Sequence, residues 1–281
     1  MASQATQGPQ GPAERPVDGL KQFKETQKQG WVHFVALETL TMPAAARLVK
    51  HAAVAPGHRV LDVACGTGVV AITAARTGAR VTGLDLTPQL LDRARENAHA
   101  VGVNVDWHEG DVEELPFDDE SFDIVVSQFG HIFAPRPEVA VREMLRVLRP
   151  GGTIAFCTWP PELLVGRSIA TVARYAPPPP MTVPSPAAWG DPNVIGERLG
   201  SAVRDVVFDR ARMWVAALSP EHYRSTFERV AGPMRRVVEL LEQSDPARLA
   251  DLRREYTATV SEYFEDNLVR QDYLLTRAVK V

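Results

Sequence analysis

One short segment, VLDVACGTG at residues 60–68, constrains the fold of this chain more than any other. Its first half is an apolar run typical of a buried strand, and its second half carries Gly66 and Gly68, which allow a tight turn and the close approach of a ligand. The backbone N–H groups at the start of the following helix are free to face the same ligand. The segment therefore predicts a strand, a turn and a helix that together form a binding loop.

Short apolar strands alternate with amphipathic helices along the first 160 residues. Alternation of this kind is typical of right-handed βαβ crossovers and a mostly parallel sheet, so we predict an α/β fold. The strands are predicted at 58–63, 80–84, 103–108, 122–127 and 153–159, with helices at 67–77, 88–101 and 137–148.

The rest of the chain divides into segments of different character. Residues 1–19 are rich in Gln, Gly and Pro, which predicts a disordered tail ahead of a single domain at 20–281. Within that domain we predict N-terminal helices at 20–55, a binding core at 56–160 and a C-terminal part at 161–281. The last part includes strands near 202–215 and 268–281, with a helical cap at 219–266 between them.

Charge and cysteine content exclude several functional classes. With 31 basic and 35 acidic residues the formal net charge is −4, and no basic half is present, so a nucleic acid partner is not expected. Two cysteines cannot form a disulfide framework, which favours a cytoplasmic location. No stretch approaches the roughly 20 apolar residues that a membrane helix needs, so we predict no membrane span. We find no ligand spacing typical of a metal site, and expect a monomer or a homodimer.

Acidic residues lie at the carboxyl ends of three successive predicted strands. Asp85 lies 19 residues after Gly66, where a carboxylate commonly binds ribose hydroxyls. Asp62 precedes the glycine turn and Asp111 follows the third strand, where it could accept a hydrogen bond from an adenine amine. These carboxylates favour a ligand with a ribose, an amine and no phosphate. A dinucleotide stays open, because residues 66–71 also fit the G-x-G-x-x-A pattern of NAD-binding proteins.

Five motifs together resemble those of one enzyme family. VLDVACGTG, GLDLT at 83–87, GDVEELPF at 110–117, SFDIVVSQF at 121–129 and LRPGG at 148–152 are similar to those of the class I S-adenosylmethionine-dependent methyltransferases. The group around the ubiquinone and menaquinone C-methyltransferases is the most similar, and the resemblance extends from about residue 54 to 159. It implies a Rossmann-like, doubly wound, seven-stranded sheet with an antiparallel last strand and a helical insertion beside the acceptor site.

The resemblance also implies which residues bind S-adenosylmethionine. Asp62, Ala64, Gly66 and Gly68 would form the loop at its methionine end, although many relatives have glycine where this chain has Ala64. Asp85 would bind the ribose. The adenine would be bordered by Leu86, Asp111 and Val112, and the sulfonium by Ser127 and Gln128.

The acceptor is expected to be a small molecule that donates an O, N or C nucleophile. His131 follows the fourth strand and is the best-placed general base, since its ordinary pKa is near neutral. Phe129, Phe133 and Trp159 are expected to contact the acceptor, and His33 to close over the site. Two alternatives stay open: an NAD(P)-dependent oxidoreductase, and a protein that binds S-adenosylmethionine without transferring its methyl group.

Overall fold

The structure is a computed structural model that describes residues 16–179 and 181–281. Most of the predicted tail at 1–19 lies outside the described residues. Helix α1 begins at Pro16, so the last four residues of that predicted tail are helical.

Eight strands and ten α-helices make up the described chain. The strands are β1 (Arg59–Val63), β2 (Arg80–Asp85), β3 (Asp106–Glu109), β4 (Phe122–Gln128), β5 (Leu148–Thr158), β6 (Val203–Ala216), β7 (Phe264–Glu265) and β8 (Leu268–Lys280). The helices are α1 (Pro16–Trp31), α2 (Glu38–His51), α3 (Val69–Ala75), α4 (Pro88–Val101), α5 (Pro137–Val147), α6 (Leu164–Tyr175), α7 (Pro192–Leu199), α8 (Pro220–Val230), α9 (Gly232–Ser244) and α10 (Pro246–Ser261).

Seven of these strands form one continuous sheet in the order β3-β2-β1-β4-β5-β8-β6. Strands β1 to β5 are parallel neighbours, whereas β8 is antiparallel to both β5 and β6. The two-residue β7 pairs only with the start of β8. The predicted doubly wound sheet with an antiparallel last strand is therefore confirmed.

The core lies on both faces of the central strands. Val60, Leu61 and Val63 of β1 are fully buried, as expected for a strand covered by helices on both sides. Strand β5 begins earlier than predicted because its LRPGG segment joins the ladder, where Leu148 pairs with Phe122 across an irregularity in register. Strand β3 begins later, at Asp106.

One helical stretch, Gly19–His51, is long and apolar enough by composition to cross a membrane. No membrane-spanning segment was predicted from the sequence, so this stretch was not anticipated. A 3-10 turn at Val32–Leu37 interrupts the stretch, and Ala44, Ala45 and Leu48 of α2 are fully buried in the core. This packing is that of a core helix in a folded domain.

Helices α8, α9 and α10 occupy the predicted helical cap between β6 and β8. They have their own apolar cluster around Leu252 and Val260, both fully buried. The cluster includes Val215 of β6 and Val269 of β8, so the cap packs against the ends of the strands that flank it. The cap is thereby held at the carboxyl edge of the sheet.

Candidate active site

A cavity of about 240 Å³ lies along the carboxyl edge of the sheet. Its lining begins at the loops after β1, β2 and β3 and continues past the ends of β4 and β5 to Met213 on β6 and Gln271 on β8. Met213 and Gln271 are register partners, which places both at the same edge as the parallel strand ends. Ligands of open α/β sheets bind in this position.

The loop after β1 is built from three residues with left-handed backbone. Ala64, Gly66 and Gly68 have φ of +54°, +55° and +81°. A Cβ at Gly68 would lie 2.6 Å from the Trp107 ring, so a side chain is excluded there. Gly68 caps α3 behind the loop, while Ala64 and Gly66 line the cavity. Ala64 adopts this conformation although it carries a methyl group.

The Asp62 carboxyl group is fully buried and only half satisfied. Its Oδ2 accepts a hydrogen bond from the Ala71 N–H at 2.9 Å, and its Oδ1 has no partner among the described residues. Burial raises the pKa of Asp62 to about 8, and the nearby Asp85 charge acts in the same direction. A buried, unpartnered carboxylate oxygen at a cavity wall fits a cationic ammonium group.

Asp85, the last residue of β2, holds the loop after β1 in place. Its Oδ2 accepts from the Gly66 N–H and its Oδ1 from the Thr87 N–H, both at 2.8 Å. Burial raises the pKa of Asp85 although both hydrogen bonds oppose this. The carboxylate therefore joins the turns after β1 and β2 and presents its remaining lone pairs to the cavity.

Leu86, Asp111 and Val112 line the same end of the cavity. Asp111 Oδ1 accepts from the Glu113 N–H at 2.9 Å, and its Oδ2 lies 2.5 Å from Lys24 Nζ on α1. Lys24 also contacts Glu113 Oε2 at 2.5 Å. Lys24 was not predicted from the sequence, because nothing near it in the chain marks it as a site residue.

Ser127 and Gln128 differ in their position. Ser127 is fully buried, donates from Oγ to the Val63 carbonyl at 2.7 Å and does not line the cavity. Gln128 lines it, donates from Nε2 to the Thr41 carbonyl at 3.0 Å, and leaves Oε1 buried without a partner among the described residues. Gln128 thus offers a fixed hydrogen-bond acceptor.

Phe129, Phe133 and Trp159 all line the cavity. Phe129 and Trp159 are stacked with ring centroids 3.9 Å apart, and Phe133 packs 4.6 Å from Trp31. Further apolar and polar residues line the cavity and were not predicted from the sequence. Those on the N-terminal segments are Trp31, Phe34, Leu37, Leu40 and Thr41, and those on the C-terminal part are Val165, Met213, Phe227 and Gln271.

Two histidines lie away from the cavity, contrary to the sequence expectation. The His131 ring is fully buried between Phe156 and Trp189, with centroids 4.8 and 4.7 Å away, and does not line the cavity. Burial, with the charge of Arg198, lowers the pKa of His131 to about 3. His33 is exposed and contacts Arg235 of α9. A short 3-10 turn at His131–Phe133 directs Phe133, not His131, into the cavity.

The described residues contain no group of three or more His, Cys, Asp or Glu side chains arranged to hold a metal ion. The two cysteines are unpaired and buried, and burial raises the pKa of both thiols. Cys65 lines the cavity as a neutral, inert thiol.

Fold and site together identify the class: this chain belongs to the class I S-adenosylmethionine-dependent methyltransferases. The sequence model of the family described as "Methyltransferase domain" matches residues 60–152. The cofactor is S-adenosylmethionine, and the unpartnered Oδ1 of Asp62 fits its ammonium group. The resemblance inferred from the five motifs is therefore confirmed.

Two relatives and one solved structure illustrate this similarity. An uncharacterised protein of Mycobacterium tuberculosis is 35% identical over 259 residues, which cover 91% of this chain and 94% of that protein. A demethylmenaquinone methyltransferase of Clavibacter sepedonicus is 40% identical over 125 residues, 43% of this chain and 51% of that enzyme. The YcgJ protein of Bacillus subtilis has a TM-score of 0.57 at 20% identity, covering 84% of this chain and 97% of its own.

Proposed function

We propose that this methyltransferase acts on a small molecule bound beside the ends of β4, β5, β6 and β8. We call this part of the cavity the acceptor half. Its lining residues are Gln128, Phe129, Phe133, Trp159, Val165, Met213, Phe227 and Gln271. The observation that carries the proposal is that this half continues directly from the carboxylates at the carboxyl ends of β1, β2 and β3. An acceptor there would adjoin the methyl group.

The cofactor half is lined by the loops after β1, β2 and β3. Its residues would determine how S-adenosylmethionine lies there. Asp62 Oδ1 would pair with the ammonium group, Asp85 would bind the ribose hydroxyls and Asp111 the adenine amine. Leu86 and Val112 would pack on the faces of the adenine. Ala64 and Gly66 would follow the methionine end, with Gly68 and Ser127 supporting the loop from behind. Gln128 would border the sulfonium.

When bound, S-adenosylmethionine supplies an electrophilic methyl group, which the acceptor's lone pair takes while the carbon–sulfur electron pair stays on sulfur. The chain's own residues orient the acceptor and exclude water, which is the main source of rate in such a transfer. Phe129 and Trp159 form a rigid wall for that purpose. Because no imidazole of the described residues lines the cavity, we propose that His131 is not a base.

Transfer of a labelled methyl group tests this function. The protein is incubated with methyl-labelled S-adenosylmethionine and a bacterial metabolite extract, and label is expected in a small organic product. An Asp85→Asn variant should lose most of the labelling, whereas Asp92→Asn, at an exposed position on α4, should keep it. Binding of S-adenosylhomocysteine without any labelled product would favour the non-methylating alternative instead. Binding of NAD in its place would favour an oxidoreductase.

The buried, unpaired state of Cys65 and Cys157 supports a reducing compartment, so we propose a cytoplasmic location. A monomer or homodimer without a nucleic acid partner stays our prediction. Sedimentation of the purified protein would test it.

A further inference from the structure

Charge divides the cavity into two unequal halves. Its charged lining residues are Lys24, Asp62, Asp85 and Asp111, and all four lie in the cofactor half. No charged side chain of residues 19–179 and 181–281 lines the acceptor half. An ionised acceptor group placed there would lose its hydration without gaining a partner, which is strongly unfavourable. The acceptor must therefore be uncharged where it is enclosed.

The acceptor half has two amide side chains at separate points, Gln128 and Gln271. A third amide that lines the cavity, Gln27 of α1, donates from Nε2 to the Phe133 carbonyl at 3.2 Å. Gln128 ends β4, and Gln271 lies near the start of β8, two strands further along the edge. At about 4.8 Å between strands, the two backbones are roughly 10 Å apart. An acceptor that met both would be about as long as two or three fused rings.

Gln271 is held in a fixed orientation by its surroundings. Its side chain is buried, and Nε2 donates to the hydroxyl oxygen of Tyr223 on α8. Tyr223 is itself buried and stacks on Phe227 with centroids 4.3 Å apart, and Phe227 lines the cavity. Gln271, Tyr223 and Phe227 thus form one rigid unit at the far end of the acceptor half. A preorganised amide selects a polar neutral group and disfavours an apolar analogue.

We infer that the acceptor is a neutral, largely apolar molecule with a hydroxyl, carbonyl or amide group at the end remote from the methyl-transfer site. We further infer that Gln271 is the specificity-determining residue that binds this group, positioned by Tyr223. The inference rests on the proposed methyltransferase function and adds the substrate class to it. It also gives the helical cap a role, since α8 fixes the orientation of Gln271.

The first experiment separates the extract into neutral, anionic and cationic pools on ion exchangers before labelling. Label in the neutral pool is expected. Label confined to a charged pool would overturn the substrate class while leaving methyl transfer established. Absence of label from every pool, with S-adenosylhomocysteine still bound, would instead defeat the proposed function itself.

The second experiment uses the neutral compound that gains label. Gln271→Leu should raise its KM at least tenfold, with kcat and S-adenosylhomocysteine affinity within about twofold. Tyr223→Phe, which keeps the ring stacked on Phe227, should raise KM severalfold in the same way and serves if the first variant folds poorly. Gln243→Leu, the same change at an exposed site on α9, should alter none of these. An unchanged KM in both cavity variants would overturn the assignment of Gln271.

Discussion

Lys24 and Asp111 are 87 positions apart in the chain, yet Lys24 Nζ lies 2.5 Å from Asp111 Oδ2 at the rim of the cavity. The same ammonium group contacts Glu113, whose side chain is fully buried and also pairs with Arg136. Helix α1 is therefore fastened to the loop that we propose binds the adenine. Lys24, Gln27 and Trp31 of this helix line the cavity, so we expect α1 to help retain the cofactor.

Replacing Lys24 by Met should speed the dissociation of S-adenosylhomocysteine about tenfold, because losing a charge-assisted contact costs about 1.4 kcal/mol. Stopped-flow fluorescence of Trp31, which lines the cavity, would follow the release. Lys28→Met is the matched control, since Lys28 pairs with the half-exposed Glu109 and with no other acidic side chain of the described residues. Equal dissociation rates for all three proteins would show that α1 does not retain the ligand.

Asp62 should release a proton when the cofactor binds. Its pKa of about 8 leaves the buried acid largely protonated at pH 7, and pairing with a cationic ammonium group favours the ionised form. Titration calorimetry at pH 7 in phosphate and in Tris should therefore show a buffer-dependent heat that corresponds to most of one proton, and affinity should rise between pH 6 and 8. Asp62→Asn should bind weakly without proton release. A buffer-independent heat in the unmodified protein would contradict this.

His131 should make the fold sensitive to acid but not contribute to catalysis. Its pKa of about 3 in the folded state is below its ordinary 6.5, so the unfolded chain binds more protons between these values. Stability should fall by up to about 1.4 kcal/mol per pH unit as pH drops through this window. His131→Leu should flatten the dependence measured by urea unfolding and keep methyl transfer within severalfold, whereas His99→Leu, at an exposed site, should leave the slope unchanged. Loss of turnover by a hundredfold would restore His131 as a candidate base.

Gly83 should tolerate no side chain. A Cβ on this β2 residue would lie 2.5 Å from one Trp107 ring atom and 2.6 Å from another, so Gly83→Ala should destabilise the fold by about 1–3 kcal/mol through overpacking. Gly196 on α7 has no atom within 4 Å of the corresponding point, and Gly196→Ala should be neutral or stabilising by up to about 1 kcal/mol. Thermal unfolding of the two variants measures the difference. Similar melting temperatures would mean that Trp107 can move aside.

Much of the fold could be predicted because its signals are local. Three of these signals each fit within about a dozen residues: the apolar run of β1, the glycines at 66 and 68, and the row of apolar residues along one face of α4. Strand–helix alternation then restricts the topology. Strand limits were less predictable. The start of β5 lies in LRPGG, which resembles a turn, and only pairing of Leu148 with Phe122 makes it part of the sheet.

The site residues differ in the same way. Asp62, Asp85 and Asp111 lie at or just after the carboxyl ends of predicted strands, so their convergence follows from the parallel sheet. The position of the His131 ring could not be predicted, because a residue after a strand can face the cavity or the core. In the structure, the space between Phe156 and Trp189 takes that ring.

By itself the sequence determined the strand–turn–helix order and the placement of three carboxylates, since these depend on backbone requirements and periodicity within short segments. The cofactor class came from the resemblance of its five motifs to one enzyme family. Only the tertiary structure decided that Lys24 reaches Asp111, that His131 is buried, and that Gln271 and Phe227 complete the far end of the cavity. Contacts of this kind join segments tens to hundreds of residues apart. They depend on how helices and strands pack together, which no local pattern specifies.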